Sequence, residues 1–289
     1  MNIIYASNLI QGCMTWGKWG RQFSTNQMTS KIEDCLSLGV STFDHADIYG
    51  GYTTEAEFGK AFAQSDIDRE SIQLISKCGI QLVDDVRGNR VKHYQYDFDY
   101  IKTQAEQSIS NLKSDYLDIF LLHRPSPLMN LEDIAEAITQ LKSEGKIKHF
   151  GVSNFSLRQI ELLAKLIPVE VNQLECSITH CNPFMDDTLL QYKSDNILPM
   201  AWSPLGKINT LKKENSTLDE ILTTLESKYK CTRSQLAVAF LRKHPAGIVP
   251  VVGTTQYSRL KQLHEALSIE LSLQDWFILL EASRESEVD

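Results

Sequence analysis

The sequence lacks the segments that carry a chain into or across a membrane. Its first residues, MNIIYASNLIQG, have no basic group ahead of the apolar ones, and the longest strictly apolar run covers only residues 236–241. A helix that spans a bilayer needs about 20 mostly apolar residues. We therefore expect no signal peptide and no membrane partner, and we predict a cytoplasmic location.

Cysteine is sparse, and its spacing contains no metal-binding or redox motif. Several cysteines lie among apolar residues, and none forms a CxxC pair. This pattern favours reduced thiols in the core over disulfides or zinc, so no metal site is predicted. The six cysteines are Cys13, Cys35, Cys78, Cys176, Cys181 and Cys231.

Positive charge is also scarce, because 29 Lys and Arg residues face 37 Asp and Glu residues, for a net charge of -8. No cluster of basic residues is interleaved with aromatic ones, and phosphate backbones require a concentrated basic face. Nucleic acid is thus not an expected partner. The acidity favours solubility, and we expect a monomer or a weak oligomer.

No linker rich in proline, glycine or serine interrupts the 289 residues. Short aliphatic or β-branched runs alternate with helical patterns from end to end, and one α/β barrel uses about 250 residues. We therefore expect a single domain over residues 1–289. Strands are predicted at residues 9–14, 41–46, 72–78, 117–123, 149–154, 170–175, 198–203 and 248–253.

The segments between these strands carry helix signals. Apolar residues recur there at helical spacing, and most corresponding strand ends lie roughly 30 residues apart, the length of one strand–helix unit. The predicted fold is α/β, a (β/α)8 TIM barrel; an open doubly wound sheet is disfavoured because no GxGxxG follows a strand. Reciprocal capping boxes are predicted at Ser30/Glu33, Thr54/Glu57, Ser156/Gln159 and Thr217/Glu220.

Four polar residues stand at or just beyond the ends of the second, third and fourth predicted strands: Asp44, Tyr49, Lys77 and His123. Active sites of such barrels lie at the carboxyl ends of the strands. The segments DHADIYGGY, SKCG, HRPSPLM and HFGVSNF resemble the aldo-keto reductase family, and within it a group of bacterial oxidoreductases, over nearly the whole chain. The resemblance implies that these four residues are catalytic.

The residue types suit carbonyl reduction. Hydride transfer to an aldehyde or ketone creates an alkoxide, and a phenol such as Tyr49 can protonate it. An ammonium at Lys77, held by Asp44, stabilises the tyrosinate, and an imidazole N–H of His123 polarises the carbonyl. His45 and Asp47 flank the site, but the family spacing favours Asp44, so Asp47 is interpreted as a loop-capping residue.

The resemblance also implies an NADPH or NADP cofactor, with NADH the weaker alternative. Ser153, Asn154 and Gln173 are expected to bind the nicotinamide carboxamide, although Ser153 by itself also suits helix capping. Trp202 is expected to stack on the nicotinamide ring. Further expected cofactor residues are Met14 and Thr15 after the first strand, and Ser203, Pro204, Leu205 and Gly206 along the pyrophosphate.

Near the C-terminus, VVGTTQYSRL resembles the segment that binds the adenosine 2′-phosphate. Gly253, Thr254 and Thr255 offer amides and hydroxyls at a helix start, and Arg259 offers a charge-assisted clamp. The segment departs from the family pattern, because a Lys often stands where Gly253 does and an adenine-binding Asn is replaced by Leu263. Gln262 is expected to compensate.

Two other functions remain open. Lys77 could be the nucleophile of a Schiff-base enzyme resembling a class I aldolase, and some relatives of this kind serve as cofactor-binding sensor subunits. The substrate pocket is expected to have an aromatic rim from Trp16, Trp19 and Phe23 and from residues 80–97, which include Tyr94 and Tyr96. Such a rim suits a small carbonyl substrate without naming it.

Overall fold

The computed structural model describes residues 6–211 and 216–288, which fall into two compact units, residues 1–173 and 174–289. The first unit begins with three strands and the helices between them. They are β1 (Ile10–Gly12), α1 (Thr25–Ser37), β2 (Thr42–Asp44), the short turn α2 (Tyr49–Tyr52), α3 (Thr54–Ala63) and β3 (Gln73–Cys78).

The rest of the first unit contains a small hairpin and then three more strand–helix steps. Its elements are β4 (Ile80–Gln81), β5 (His93–Tyr94), α4 (Phe98–Asn111), β6 (Leu117–Leu122), α5 (Leu131–Ser143), β7 (Ile147–Ser153), α6 (Leu157–Leu163) and the start of β8 (Val171–Glu175). The second unit contains α7 (Thr188–Asp195), β9 (Leu198–Trp202), α8 (Ser216–Tyr229), α9 (Arg233–Lys243), β10 (Val249–Val252), α10 (Tyr257–Glu265) and α11 (Leu273–Arg284).

Eight strands follow one another around a closed barrel in the order β1, β10, β9, β8, β7, β6, β3, β2. Neighbouring strands run parallel, for example β3 beside β6 and β7 beside β8. The predicted (β/α)8 class is therefore confirmed, and each predicted strand is present. The hairpin of β4 and β5 is an addition that the sequence patterns did not predict, and its two strands pair antiparallel with each other.

Apolar patterning accounts for these elements. Every residue of β6 is buried, as expected for a parallel strand that is covered on both faces. On α5 the buried residues are Ile134, Ala137, Ile138 and Leu141, a stripe of helical spacing that lies on one face. Burying one such aliphatic side chain contributes about 1.5–3 kcal/mol.

Helix starts were harder to predict than strands. The box of Ser156 and Gln159 is present at α6, but the other three predicted boxes are wrong, because Ser30, Thr54 and Thr217 lie inside their helices. The start of α1 lies earlier than predicted, with Ser24 and Gln27 forming its box. Within the described residues, no helix has the length and apolar character needed to cross a membrane.

Candidate active site

Adjacent strands of the barrel bring the four predicted catalytic residues to one end of the sheet. Asp44 ends β2, Lys77 is the fifth residue of β3, and His123 follows β6 directly. Backbone hydrogen bonds continue the ladder past the strand ends, from His45 N–H to the Ile75 carbonyl at 2.9 Å. The short turn α2 then begins at Tyr49.

Lys77 lies at the centre of the site and is fully buried. Its Nζ is 2.8 Å from both carboxylate oxygens of Asp44, 2.7 Å from the carbonyl oxygen of His45 and 3.1 Å from the hydroxyl of Tyr49. An ammonium carries three N–H groups, so each has an acceptor. The carbonyl of His45 is a contributor that residue-type reasoning missed, because a backbone group leaves no signature in the sequence.

The surroundings keep both Lys77 and Tyr49 protonated. Burial alone would lower the pKa of Lys77, but the Asp44 carboxylate and Tyr49 raise it above its ordinary value. Burial raises the pKa of Tyr49 to about 12, although the Lys77 ammonium pulls it down. Tyr49 is therefore a neutral phenol at physiological pH, with a cation hydrogen-bonded to its oxygen.

The ring of His123 stands edge-on to that of Tyr49, with centroids 6.2 Å apart. Burial lowers the pKa of His123 well below its ordinary value, and the charges of Lys77, Arg124 and Lys92 lower it further. A neutral imidazole offers one N–H donor and does not compete with Tyr49 as an acid. His123 is thus suited to polarise an oxygen.

The flanking residues His45 and Asp47 are both buried. Burial lowers the pKa of His45 to about 3 and raises the pKa of Asp47 well above its usual range. The ring of His45 packs on Phe58 at 4.4 Å, and Tyr100 donates to Asp47 at 3.5 Å. Lys77 donates to neither of these side chains, consistent with the choice of Asp44.

The backbone after Tyr49 turns sharply. Gly50, Gly51 and Tyr52 all have positive φ angles, of 66°, 70° and 70°. A side chain at Gly50 would also collide with the hydroxyl oxygens of Thr53 and Thr54. The local conformation that presents Tyr49 therefore requires glycine at position 50.

The predicted aromatic rim needs correction. Trp16 is buried in the core against Phe43 and Phe58, at 6.2 and 6.0 Å between ring centroids. Tyr96 is buried too, and its hydroxyl donates to the Arg124 carbonyl at 2.5 Å. Trp19 is different, because it is 42% exposed and its ring lies 6.3 Å from that of Tyr49.

The half-buried Phe23 contacts Trp16 edge-on at 6.2 Å rather than Tyr49. Tyr94, at the end of the hairpin, packs on the cluster of Ala46, Ile48, Tyr49 and Ile80. Beside the proposed proton donor, the exposed aromatic surface is therefore that of Trp19, with Tyr94 partly buried nearby.

Two of the predicted cofactor residues lie on adjacent strands of the first unit, and a third, Asn154, directly follows the first of these strands. Ser153 on β7 pairs in register with Gln173 on β8, and Asn154 N–H donates to the Gln173 carbonyl at 2.9 Å. The Asn154 side chain donates to the Ser153 hydroxyl at 2.7 Å. The Gln173 side chain donates from Nε2 to Oδ1 of Asp44 at 2.8 Å, a contact that the sequence did not predict.

After β1, Met14 is 46% exposed and Thr15 is half-buried. In the second unit, Trp202 ends β9 and is half-buried, and Ser203 takes a positive φ of 50°. The chain then passes the buried Pro204 and the half-buried Leu205. These residues therefore leave the strand in a turn rather than in a helix.

Gly206 lies against the hydroxyl groups of Ser177 and Thr179, where a Cβ atom would collide with both. Thr179 also accepts a hydrogen bond from the Lys207 amide at 2.9 Å. The close approach explains a glycine at this position. It places two hydroxyl groups beside the turn that is expected to follow the pyrophosphate.

The last predicted segment surrounds the start of α10. Gly253 is exposed with open space at its Cβ position, and Thr254 and Thr255 are half-buried. Arg259 and Gln262 are exposed on the helix, whereas Leu263 is 3% exposed. The residue that replaces the family's Asn is therefore part of the core, and Gln262 is the polar side chain on the surface.

Comparison with known proteins places this geometry in a family. The chain is 41% identical to the uncharacterized oxidoreductase YcsN of Bacillus subtilis, over 96% of this chain and 94% of that protein. It is 37% identical to the oxidoreductase YdhF of Escherichia coli, over 93% and 91%. An aldo-keto reductase from Klebsiella pneumoniae, solved with NADPH, has the same fold, with a TM-score of 0.78 at 22% identity and coverage of 95% and 90%.

The profile of the Aldo/keto reductase family matches residues 8–283 of the sequence. This range includes the four strand-end residues and every expected cofactor residue. The resemblance that the motifs indicated is therefore confirmed over the whole barrel. The chain is a member of the aldo/keto reductase family of oxidoreductases.

Proposed function

We propose that the chain is an NADPH-dependent carbonyl reductase, with the chemistry of an alcohol dehydrogenase, that converts aldehydes or ketones to alcohols. Tyr49 acts as the general acid, Lys77 and Asp44 tune it, and His123 orients the carbonyl oxygen. The substrate is a small molecule that enters beside Trp19, where the exposed aromatic surface lies.

One contact carries the proposal. Lys77 donates to the hydroxyl oxygen of Tyr49 at 3.1 Å, so this oxygen is already an acceptor. The phenol's own proton is then directed to another acceptor, which a substrate oxygen can provide. When the proton leaves, the ammonium stabilises the tyrosinate that remains, as general acid catalysis requires.

The residues expected to hold the cofactor suit a nicotinamide dinucleotide. NADPH supplies the hydride when bound. Ser153 and Gln173 in register on neighbouring strands offer hydroxyl and amide groups to a carboxamide. Arg259 is exposed on α10 and forms no ion pair with any described residue, so its guanidinium is available to a 2′-phosphate. This charge supports NADPH over NADH.

The Schiff-base alternative is disfavoured by the same lysine. A nucleophilic lysine needs a neutral amine, yet the pKa of Lys77 is raised and its three N–H groups have acceptors. The sensor alternative would leave the Tyr49 arrangement without a use. Free thiols at all six cysteines support action in the reducing cytoplasm, as a single domain that is a monomer or a weak oligomer.

Isotope transfer tests the proposal directly. NADPH deuterated on the hydride-donating carbon, incubated with a panel of aldehydes and ketones, should give alcohols that carry one deuterium. Borohydride should trap no adduct on Lys77. Tight NADPH binding without deuterium transfer to any substrate would favour the sensor function, and a borohydride adduct would favour the Schiff-base enzyme.

A further inference from the structure

The hydrogen bond between Gln173 and Asp44 spans the barrel. Gln173 lies on β8 and Asp44 on β2, and these strands are four positions apart in the closed order of eight. They therefore stand on opposite sides of the barrel. Both side chains are almost wholly buried, at 3% exposure each, and the bond between Nε2 and Oδ1 measures 2.8 Å.

We propose that Gln173 is a positioning residue for the proton donor, because its amide fixes the Asp44 carboxylate that in turn holds Lys77 beside Tyr49. The inference rests on the proposed function, in which Tyr49 is the acid. It gives Gln173 a role toward the catalytic side chains in addition to its expected contact with the cofactor.

The direction of the amide follows from its partner. The Asp44 carboxylate, which pairs with the Lys77 ammonium, accepts hydrogen bonds and does not donate them. The group that faces Asp44 must therefore be the NH2 end of Gln173, and its carbonyl oxygen points elsewhere. The NH2 group of Gln173 thus binds Asp44, and its carbonyl oxygen can accept from another donor.

The contact also matters for the orientation of the carboxylate. The Lys77 ammonium lies equally close to both oxygens of Asp44, so the ion pair alone does not favour one oxygen. Gln173 distinguishes them, because it binds Oδ1. Without the amide, the orientation of the Asp44 carboxylate is no longer fixed. The position of the Lys77 ammonium relative to Tyr49 is then less well fixed too.

A kinetic comparison separates this role from cofactor binding. Gln173→Met keeps the length of the side chain and removes its donor. We expect kcat to fall roughly 10- to 100-fold with the KM for the carbonyl substrate little changed. In the direction of alcohol oxidation, the rising limb of the pH profile should move to higher pH, because Tyr49 becomes harder to ionise.

Ser153→Ala is the matched control, since Ser153 is paired with Gln173 in register and, among the described residues, forms no hydrogen bond with Asp44. It should weaken NADPH binding, measured by fluorescence titration, and leave the pH limb where it is in the wild type. If Gln173→Met also changes only the NADPH affinity, the positioning role is wrong.

A second test needs neither cofactor nor turnover. In Gln173→Glu, the new carboxyl group can donate to Asp44 only while it is protonated, and once ionised it faces a like charge. Its pKa in the folded state should therefore be raised, so this carboxyl group adds stability at low pH, relative to Gln173→Met, and the added stability is lost as the pH rises through that pKa. Lys77, Tyr49 and the neutral thiol of Cys13 are the other ionisable groups around Asp44.

Thermal unfolding of the apo proteins between pH 5 and pH 8 measures this effect. Relative to Gln173→Met, the Tm of Gln173→Glu should fall by several degrees across the range, as expected when the pKa is raised by about two units or more above the value of about 4.3 for unfolded Glu. Parallel curves for the two variants would overturn the inference. A wild-type protein that reduces no carbonyl would contradict the proposed function instead, and the apo curves would still decide the contact.

Discussion

The ammonium of Lys77, which is fully buried, donates a hydrogen bond of 3.1 Å to the hydroxyl of Tyr49, which is 9% exposed. The cation therefore contacts the phenol oxygen before any substrate binds. Such preorganisation is effective in a site with little water, where charges are weakly screened. This contact and the charges that surround it determine how substitutions in the site should act.

Replacing Tyr49 with Phe should remove the proton donor and little else. We expect kcat for aldehyde reduction to fall about 10²- to 10⁴-fold, the usual contribution of a general acid, while the Kd for NADPH changes less than about threefold. Steady-state NADPH oxidation and fluorescence titration measure the two quantities. Tyr116→Phe, which keeps the ring that Arg69 and Lys148 contact, is the control. Wild-type turnover in Tyr49→Phe would refute the assignment.

Replacing Lys77 with an uncharged residue should destabilise the fold as well as slow the reaction. Lys77→Met leaves the Asp44 carboxylate buried without its counter-ion, which we expect to lower the free energy of unfolding by about 3–5 kcal/mol. The double variant Lys77→Met, Asp44→Asn should recover a substantial part of this loss, because no buried charge remains. Urea unfolding of the wild type, Lys77→Met, Asp44→Asn and the double variant tests the coupling. Additive losses would mean that the two groups do not form a buried pair.

The buried His45 and the half-buried His123 should make the protein sensitive to acid. The pKa of His45 is lowered to about 3 and that of His123 well below its ordinary value, whereas unfolded histidines titrate near about 6.5. Below that pH the unfolded chain binds protons that the native chain does not, so stability falls as pH falls. Each histidine contributes about 1.4 kcal/mol per pH unit to the slope.

The contribution of His45 can be isolated by substitution. His45→Leu should reduce the slope of unfolding free energy against pH between pH 6 and pH 5 by about one proton. At pH 7 its stability should not fall much, because neither ring nitrogen of His45 has a hydrogen-bond partner among the described residues. Equal slopes in wild type and His45→Leu would show that His45 is protonated in the native state.

Arg259→Ala tests the cofactor preference. The loss of a charge-assisted clamp on the 2′-phosphate should raise the Kd for NADPH about tenfold or more, while the Kd for NADH changes little. Lys261→Ala removes an exposed charge from the same helix and serves as the control for general electrostatic attraction. If both dinucleotides lose affinity equally in Arg259→Ala, the 2′-phosphate role is incorrect.

The barrel was predictable because its signals are local. Each strand is a short apolar run bounded by polar residues, and the catalytic candidates follow from which residues end those runs. Helix starts were less predictable, because several Ser or Thr residues compete to cap the same turn. Thr54 illustrates this competition, since it is the first residue inside α3 and is fully buried.

The features that escaped prediction depend on distant contacts. Trp16 follows the first strand and is therefore expected in a loop at the pocket rim. Only its packing against Phe43 and Phe58 shows that it belongs to the core. The bond from Gln173 to Asp44 joins residues 129 positions apart and exists only once the barrel is closed. The acceptor at the His45 carbonyl depends on backbone direction, which residue identity does not encode.

The hairpin of β4 and β5 pairs with itself and not with the barrel strands. It is anchored by tyrosine hydroxyls, with Tyr52 accepting from the Leu82 amide and Tyr96 donating to the Arg124 carbonyl. Between these anchors its length and composition can diverge without disturbing the register of any barrel strand. Apart from Tyr94, which packs beside Tyr49, we therefore expect this insertion to be where substrate preference can change without altering the barrel strands that carry Asp44 and Lys77.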